Sequence, residues 1–326
     1  MYSIQDPLIS VIIPIYNAAN LISRCIDSIV AQSFENYEIV IVDDGSTDNS
    51  LSVCRKFTEV HHNILVFHKI NEGQTSARKY GLEHSKGKYI YFVDADDYIP
   101  TDTLTFLYNK ITENDLDIVA GNSISLFLGT ERVEKFTFPI EGIFNKLDHL
   151  TMMYRGESHN GTHAILYKKK LFNKDTFNIP FDVKTGEDFY INLCLSLEAN
   201  RIGLYNEVVY YYVENEYSIT HYYKFSSLLP QEHLIECIQR ELTKYGVFND
   251  VQELFYEKAI SIIFVACLHN SRLRKERYVK HITAEAMPYI HSRYANILCW
   301  ILRHPRCFPF FILINNIRKS VLKILK

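Results

Sequence analysis

Four short apolar runs fill the first hundred residues, each opening into a polar turn and then a segment of helical period. That pattern restricts the chain to an α/β design. Ile9-Ser10-Val11-Ile12-Ile13-Pro14 is nearly continuous and β-branched, as suits a strand buried on both faces of a parallel sheet, and Pro14 is expected to end it. After Asn20, read as an N-cap, Leu21, Ile22, Cys25, Ile26, Ile29 and Val30 recur at helical spacing. Glu38-Ile39-Val40-Ile41-Val42 runs into Asp43-Asp44-Gly45-Ser46, and the helix that follows carries Leu51, Val53 and Phe57. Ile64 to Phe67 leads through Asn71-Glu72-Gly73 to a helix around Ala77 to His84, and after Gly87 comes the run Tyr89-Ile90-Tyr91-Phe92-Val93. Such alternation argues for a parallel sheet with right-handed crossovers.

Those crossovers place all four turns on the carboxyl edge of the sheet, where ligands bind in open α/β folds. The edge then gathers the ring of Tyr16, Asp44 as an acceptor for an N–H, Gly45 and Gly73 where backbone must turn or approach, and Asp94-Ala95-Asp96-Asp97. At a strand-to-loop turn two carboxylates can aim at one point, where their repulsion raises a pKa or demands a cation. A hard ion such as Mg²⁺ or Mn²⁺ takes oxygen ligands, typically one or two carboxylates plus a substrate's phosphates. Asp94-Ala95-Asp96 is thus a candidate metal-diphosphate clamp, although Asp-rich turns also serve as helix caps and loop formers. Neither a GxGxxG run nor a P-loop motif occurs, which excludes dinucleotide and P-loop readings and leaves a nucleoside diphosphate held through a metal.

Further on, Ile118-Val119-Ala120, Arg132 to Phe138, His163 to Tyr167 and the tyrosine-rich Val208 to Val213 read as strands, and Leu147 to Tyr154 as a helix. Gly186-Glu187-Asp188 precedes an apolar helix, a place where acids are also favoured by the helix dipole and by capping. His221, in the polar loop Tyr217 to His221, is a candidate for a metal or a phosphate, though a lone loop histidine is more often surface decoration. Beyond Leu228 the pattern is helical. From Ala286 to Lys326 there are seven basic residues and no acid, interleaved with Trp300, Phe308, Phe310, Phe311 and other apolar residues. A basic amphipathic tail of this kind suits the interfacial plane of an anionic membrane, or packing on the catalytic domain or a second subunit in a homo-oligomer. The expected division is therefore a catalytic domain over 1–225 and a helical region over 226–326.

Hydrophobic residues at 47% and charged residues at 22% describe an ordinary globular chain, and a net charge of −3 argues against general nucleic-acid binding. Seven cysteines form no CxxC pair and lie mostly in apolar segments, the pattern of buried free thiols in a reducing compartment. Without a signal peptide at Met1 to Pro7 or an apolar run of spanning length, the expected place is the cytoplasm, peripheral on the inner membrane face.

Ser10 to Asn17, Val42 to Asp48, Asn71-Glu72-Gly73 with Ala77-Arg78, Phe92 to Asp97, and Gly186-Glu187-Asp188 together resemble the ordered motifs of glycosyltransferase family 2, over roughly residues 8 to 220. The resemblance implies a glycosyltransferase A fold, a mixed but mainly parallel sheet flanked by helices, here with a helical C-terminal extension. It also implies a nucleotide-sugar donor, usually a UDP-sugar, and inversion at the anomeric carbon. By the same resemblance Pro14 and Tyr16 would frame the nucleoside, with Asn17 and Ala95 in the donor-binding motifs beside them. Asp44 would accept the base N–H, Arg78 would approach the nucleotide, Asp94 would contact the ribose side, and Asp96 would hold Mn²⁺ or Mg²⁺, with Asp94 and His221 as further metal candidates. Asp188 would be the base, with Glu187 second. Lys79 stands where the family often has asparagine, so no role is carried to it. By analogy the acceptor is a glycan or lipid-linked hydroxyl in bacterial surface-polysaccharide synthesis. A sugar-phosphate nucleotidyltransferase is a second reading, although its glycine-rich basic signature is missing. A non-catalytic, membrane-associated nucleotide-sugar binder is a third, against which the retained carboxylates argue.

Overall fold

The structure, a computed structural model, describes residues 7–127, 129–130, 132–214 and 225–304. The chain divides into two compact units, Met1–Phe181 with Thr185–Ser218 and Asp182–Lys184 with Ile219–Lys326.

The first unit opens with β1 (Ile9–Ile15), α1 (Ile22–Val30), β2 (Tyr37–Asp43), α2 (Ser50–Val60), β3 (Ile64–His68), α3 (Gln74–His84) and β4 (Tyr89–Phe92). It continues through α4 (Thr103–Glu113), β5 (Ile118–Phe127), β6 (Val133–Phe136), β7 (Gly142–Phe144), α5 (Lys146–Arg155), β8 (Ile165–Lys168), α6 (Glu187–Glu198) and β9 (Ile202–Glu214). One nine-stranded sheet orders these strands β3-β2-β1-β4-β8-β5-β9-β7, with β6 paired to β5. β3, β2, β1 and β4 are parallel, β8 runs antiparallel to both β4 and β5, β9 is parallel to β5, and β7 is antiparallel to β9. This is the mixed, mainly parallel sheet expected, with helices on both faces.

Period-two alternation divides the core between the faces. Val11, Ile13, Ile39 and Ile41 pack with Ile22, Cys25, Ile26 and Ile29 of α1 and with Leu104 and Leu107 of α4. Ile12, Val40, Val42 and Phe92 pack on the opposite side with Ala77 of α3 and Ile191 and Leu195 of α6. Gly81 lets α3 approach the sheet, because a Cβ there would lie 2.5 Å from Ile12 Cγ2.

Pro14 does not end β1, which continues to Ile15. Hydrogen bonds alternate sides along a parallel strand, and Ile12 O accepts Val93 N from the β4 side while Ile15 O accepts Asp44 N from the β2 side. Pro14 therefore turns its missing N–H toward β4, whose pairing has stopped at Ile12, and no ladder bond is lost. Asn20 is not the cap of α1. Leu21 occupies that position without a side-chain bond, and Ile22 N reaches back to Ala18 O at 3.0 Å. β5 and β9 are longer than the apolar runs suggested, since register shifts at Ala120, Asn122 and Ser123 carry the pairing through buried polar residues.

The second unit is helical, with α7 (Leu229–Lys244), α8 (Phe248–His269), α9 (Arg277–Ala286) and α10 (Arg293–Arg303). Leu234, Ile238 and Leu242 of α7, Ile260 and Ile263 of α8, Val279 and Ile282 of α9, and Leu298 and Leu302 of α10 are buried. Among the described residues six cysteines are free and buried. No helix among the described residues is long and apolar enough to cross a membrane.

Candidate active site

The turns after β1, β2, β3 and β4 meet along one edge, and side-chain hydrogen bonds tie each to the next. Asn17, held at φ 50, accepts Thr47 N at 2.8 Å and Asp48 N at 3.3 Å, and its own N–H donates to Ser46 Oγ. Asp44 accepts Lys69 Nζ at 2.8 Å, Glu72 N and, at 2.7 Å, Gly73 N, so the second turn orders the third. Gly45, at φ 75, packs so closely on this turn that a Cβ would lie 2.8 Å from Asn71 N. From α3, Gln74 Nε2 and an Arg78 guanidinium nitrogen both donate to Asp94 Oδ1, at 2.9 and 2.8 Å. The other Arg78 terminal nitrogen donates to Asp188 Oδ1 at the start of α6.

Arg78 is thus the hub of the rim. It is 1% exposed, on the face of α3 that carries Ala77 and Gly81, and its charge is balanced by two carboxylates from distant parts of the chain. Burial opposes that charge, but Asp188 and Asp94 outweigh burial and push the guanidinium pKa up. Its Nε is buried without a hydrogen-bond partner.

The acid loop is stitched to β9. Asp94 N donates to the Tyr210 hydroxyl at 3.1 Å, that hydroxyl donates to Asp97 Oδ2 at 2.6 Å, and Val213 N donates to Asp97 Oδ1. Arg24 Nη2 donates to Asp96 O at 2.6 Å, with its guanidinium 5.0 Å over the Tyr98 ring. Ala95 is buried between the two acids and packs in the core. Burial first, then the Asp94 and Asp96 charges, push the Asp97 carboxyl well above its usual range. Burial and then Asp188 push Glu187 up to about 7. The acid loop and the start of α6 carry more carboxyls than Arg78 pairs, a setting that suits a divalent cation on one or two of them. Among the described residues no group of three or more His, Cys, Asp or Glu could hold a metal by itself.

Pro14 is buried in β1, and Tyr16 beyond it is 53% exposed with its ring available for stacking. His221 lies outside the described residues. Sequence reasoning did not single out Gln74, Tyr210 or His163, and named Asp97 only as the last acid of its run. His163 precedes Ala164, whose φ of 61 is rare for a residue with a Cβ, and its ring lies 5.1 Å from that of Tyr210. Burial lowers its pKa against the opposing pull of Asp94 and Asp188. Only the third acid of the Asp94 to Asp97 run and the tyrosines of β9 were visible signals for this group.

The pattern of the family described as Glycosyl transferase family 2 matches residues 10–176. Glycosyltransferase GlyA of Streptococcus pneumoniae serotype 4 is 36% identical over 218 residues, which is 64% of this chain and 30% of that protein. Poly(ribitol-phosphate) beta-glucosyltransferase of Bacillus spizizenii is 33% identical over 210 residues, 63% of this chain and 32% of that protein. The match thus spans about a third of either relative. The structure of S. aureus TarS 1–349 in complex with UDP-GlcNAc aligns with TM-score 0.69 at 21% identity, over 92% of this chain and 87% of that one, a likeness of fold. The ordered motifs, the sheet that carries them and the span of the matched pattern agree, and the chain belongs to glycosyl transferase family 2.

Proposed function

We propose that this chain transfers a sugar from a UDP-sugar to a hydroxyl of a glycan or lipid-linked acceptor in bacterial surface-polysaccharide synthesis, with inversion at the anomeric carbon. One observation carries the reading: Arg78 holds Asp94, of the acid loop, and Asp188, at the start of α6, on the same guanidinium. The donor-side acid and the candidate base are thereby fixed a single side chain apart. The UDP-GlcNAc complex of TarS supports the donor class, and the poly(ribitol-phosphate) named for the Bacillus spizizenii relative supports a surface-polymer acceptor.

In this reading Tyr16 stacks on the base, and Asp44 accepts the base N–H in exchange for one of the contacts it now takes from Lys69, Glu72 and Gly73. Asp96, with Asp94 beside it, holds Mn²⁺ or Mg²⁺. When bound, the ion stabilises the charge that develops on the departing diphosphate. Asp188, anchored through Oδ1, takes the proton of the acceptor hydroxyl on its other oxygen as that hydroxyl attacks from the face opposite the leaving group. Glu187, its carboxyl pushed up by burial and by Asp188, is the second choice. The acid loop, locked to β9 by Tyr210 and Asp97, keeps these groups from reorganising during the reaction. The basic C-terminal tail is assigned to holding the enzyme peripherally on the membrane that carries its acceptor; Arg306, Arg318, Lys319, Lys323 and Lys326 lie outside the described residues. The test is a panel of nucleotide sugars scored for Mn²⁺-dependent release of nucleoside diphosphate. Turnover of a nucleotide triphosphate with pyrophosphate release, and none of any nucleotide sugar, would refute the proposal.

A further inference from the structure

A surface helix needs one apolar face to pack, and α10 has two. Ala295, Leu298, Cys299, Ile301 and Leu302 are buried against the rest of the helical unit, where α10 contacts α8 and α9. On the outward side Tyr294, Ile297 and Trp300 follow one another at intervals of three residues and are 66%, 44% and 52% exposed. Three large apolar side chains in a row on one helix face are more than scattered surface residues.

The charges on α10 itself have one sign, while Glu253 of α8, which accepts His291 N at 3.2 Å, lies just before its start. Arg293 and Arg303 are exposed at the two ends of the same face, and Ser292 caps the helix by accepting Ala295 N at 3.2 Å. Downstream of Glu285 the sequence contains no Asp or Glu, while seven Arg and Lys residues follow. A second copy of the chain is a poor occupant, because an isologous contact would set Arg293 and Arg303 against like charges. An anionic bilayer matches on each count: tyrosine and tryptophan favour the headgroup level, arginine stems lie along apolar surface with their heads in water, and basic residues gain from anionic lipid. No described helix is long and apolar enough to cross a membrane, so the contact is with the surface.

We propose that the outward face of α10, Tyr294, Ile297 and Trp300 between Arg293 and Arg303, docks on an anionic lipid surface. This narrows the membrane contact, within the basic tail of the proposed function, to a helix already folded into the second unit. It does not depend on the transfer chemistry, and the test uses no substrate.

Trp300 is the single tryptophan of the chain, so its emission reports this face alone. The whole protein is titrated with vesicles of phosphatidylcholine, alone or with about a third phosphatidylglycerol. The expected result is a blue shift of Trp300 emission and quenching by brominated lipid with the anionic vesicles only. The exposed-face double variant Tyr294→Ser/Ile297→Ser, with an unchanged circular dichroism spectrum, should bind roughly ten- to a hundredfold more weakly. Arg293→Gln/Arg303→Gln should lose about tenfold together with most of the lipid selectivity. Sedimentation with vesicles without a shift of Trp300 would overturn the proposal, since another part of the chain would then be binding. Absence of binding would overturn it, and so would a shift that follows protein concentration without lipid, which would make a second copy the occupant.

Discussion

Replacing Arg78 with methionine is the perturbation that reaches furthest into the site. The guanidinium is 1% exposed, while the Asp94 and Asp188 side chains it pairs with are 23% and 33% exposed. Methionine fills much of the volume of the arginine stem and Arg78 Nε makes no hydrogen bond, so the cavity term is small and the hydrogen bonds lost are the two within the ion pairs. What remains is the loss of charge. Removing one partner from a buried ion pair costs about 3–5 kcal/mol, and because water reaches both carboxylates the expected cost here is about 2–4 kcal/mol. Urea unfolding of the whole chain followed by circular dichroism should show a midpoint lowered by roughly 1 M. Trp300 emission follows the helical unit and supplies a separate signal from the same titration. Adding Asp188→Asn to Arg78→Met removes one uncompensated carboxylate and should recover about 1–2 kcal/mol, a coupling that independent sites would not show. A loss below about 0.5 kcal/mol, within the range of ordinary surface substitutions, would refute the view that Arg78 holds the rim together.

Other outcomes follow from the same geometry. Glu187, pushed up to about 7 from 4.5, holds a proton in the folded chain that the unfolded chain has released between those values. Folding stability should therefore fall as pH rises through that window, by about 3 kcal/mol at most, and Glu187→Gln measured in chelator should remove that slope; an unchanged slope would assign it elsewhere. Asp96→Ala should abolish metal dependence and diphosphate affinity together, read by calorimetry with UDP in the presence and absence of Mn²⁺, and unchanged metal dependence would contradict the clamp. Gly81→Ala should destabilise the first unit by about 1–3 kcal/mol, because its Cβ would lie 2.5 Å from Ile12 Cγ2, and a neutral result would mean α3 moves freely off β1.

The four parallel strands of the rim were legible because each is a β-branched run closed by a turn with its own chemistry, and the local pattern agrees with the global fold. Tyr16, Asp44, Arg78, Asp94, Asp96, Glu187 and Asp188 were singled out as candidates through motif order, and the structure adds the side-chain bonds between their loops. What stayed hidden depends on partners far away in sequence. Pro14 reads as a stop until the end of β4 shows that no donor is wanted there. β5 carries buried Asn122 and Ser123, which break the apolar pattern while its ladder with β9 continues. Asp97 and Tyr210 form one hydrogen-bonded unit across more than a hundred residues, and neither signals the other locally. His163 depends on the left-handed backbone at Ala164, a conformation that residue type does not announce.

The account rests on separate groups for binding the donor and for taking the acceptor's proton, and Asp188→Asn tests that separation directly. With a donor identified from the nucleotide-sugar panel, the account predicts donor affinity in Mn²⁺ within about threefold of the unaltered enzyme and transfer lower by roughly a thousandfold or more. An equal loss of affinity and turnover, or transfer that survives the substitution, would contradict it.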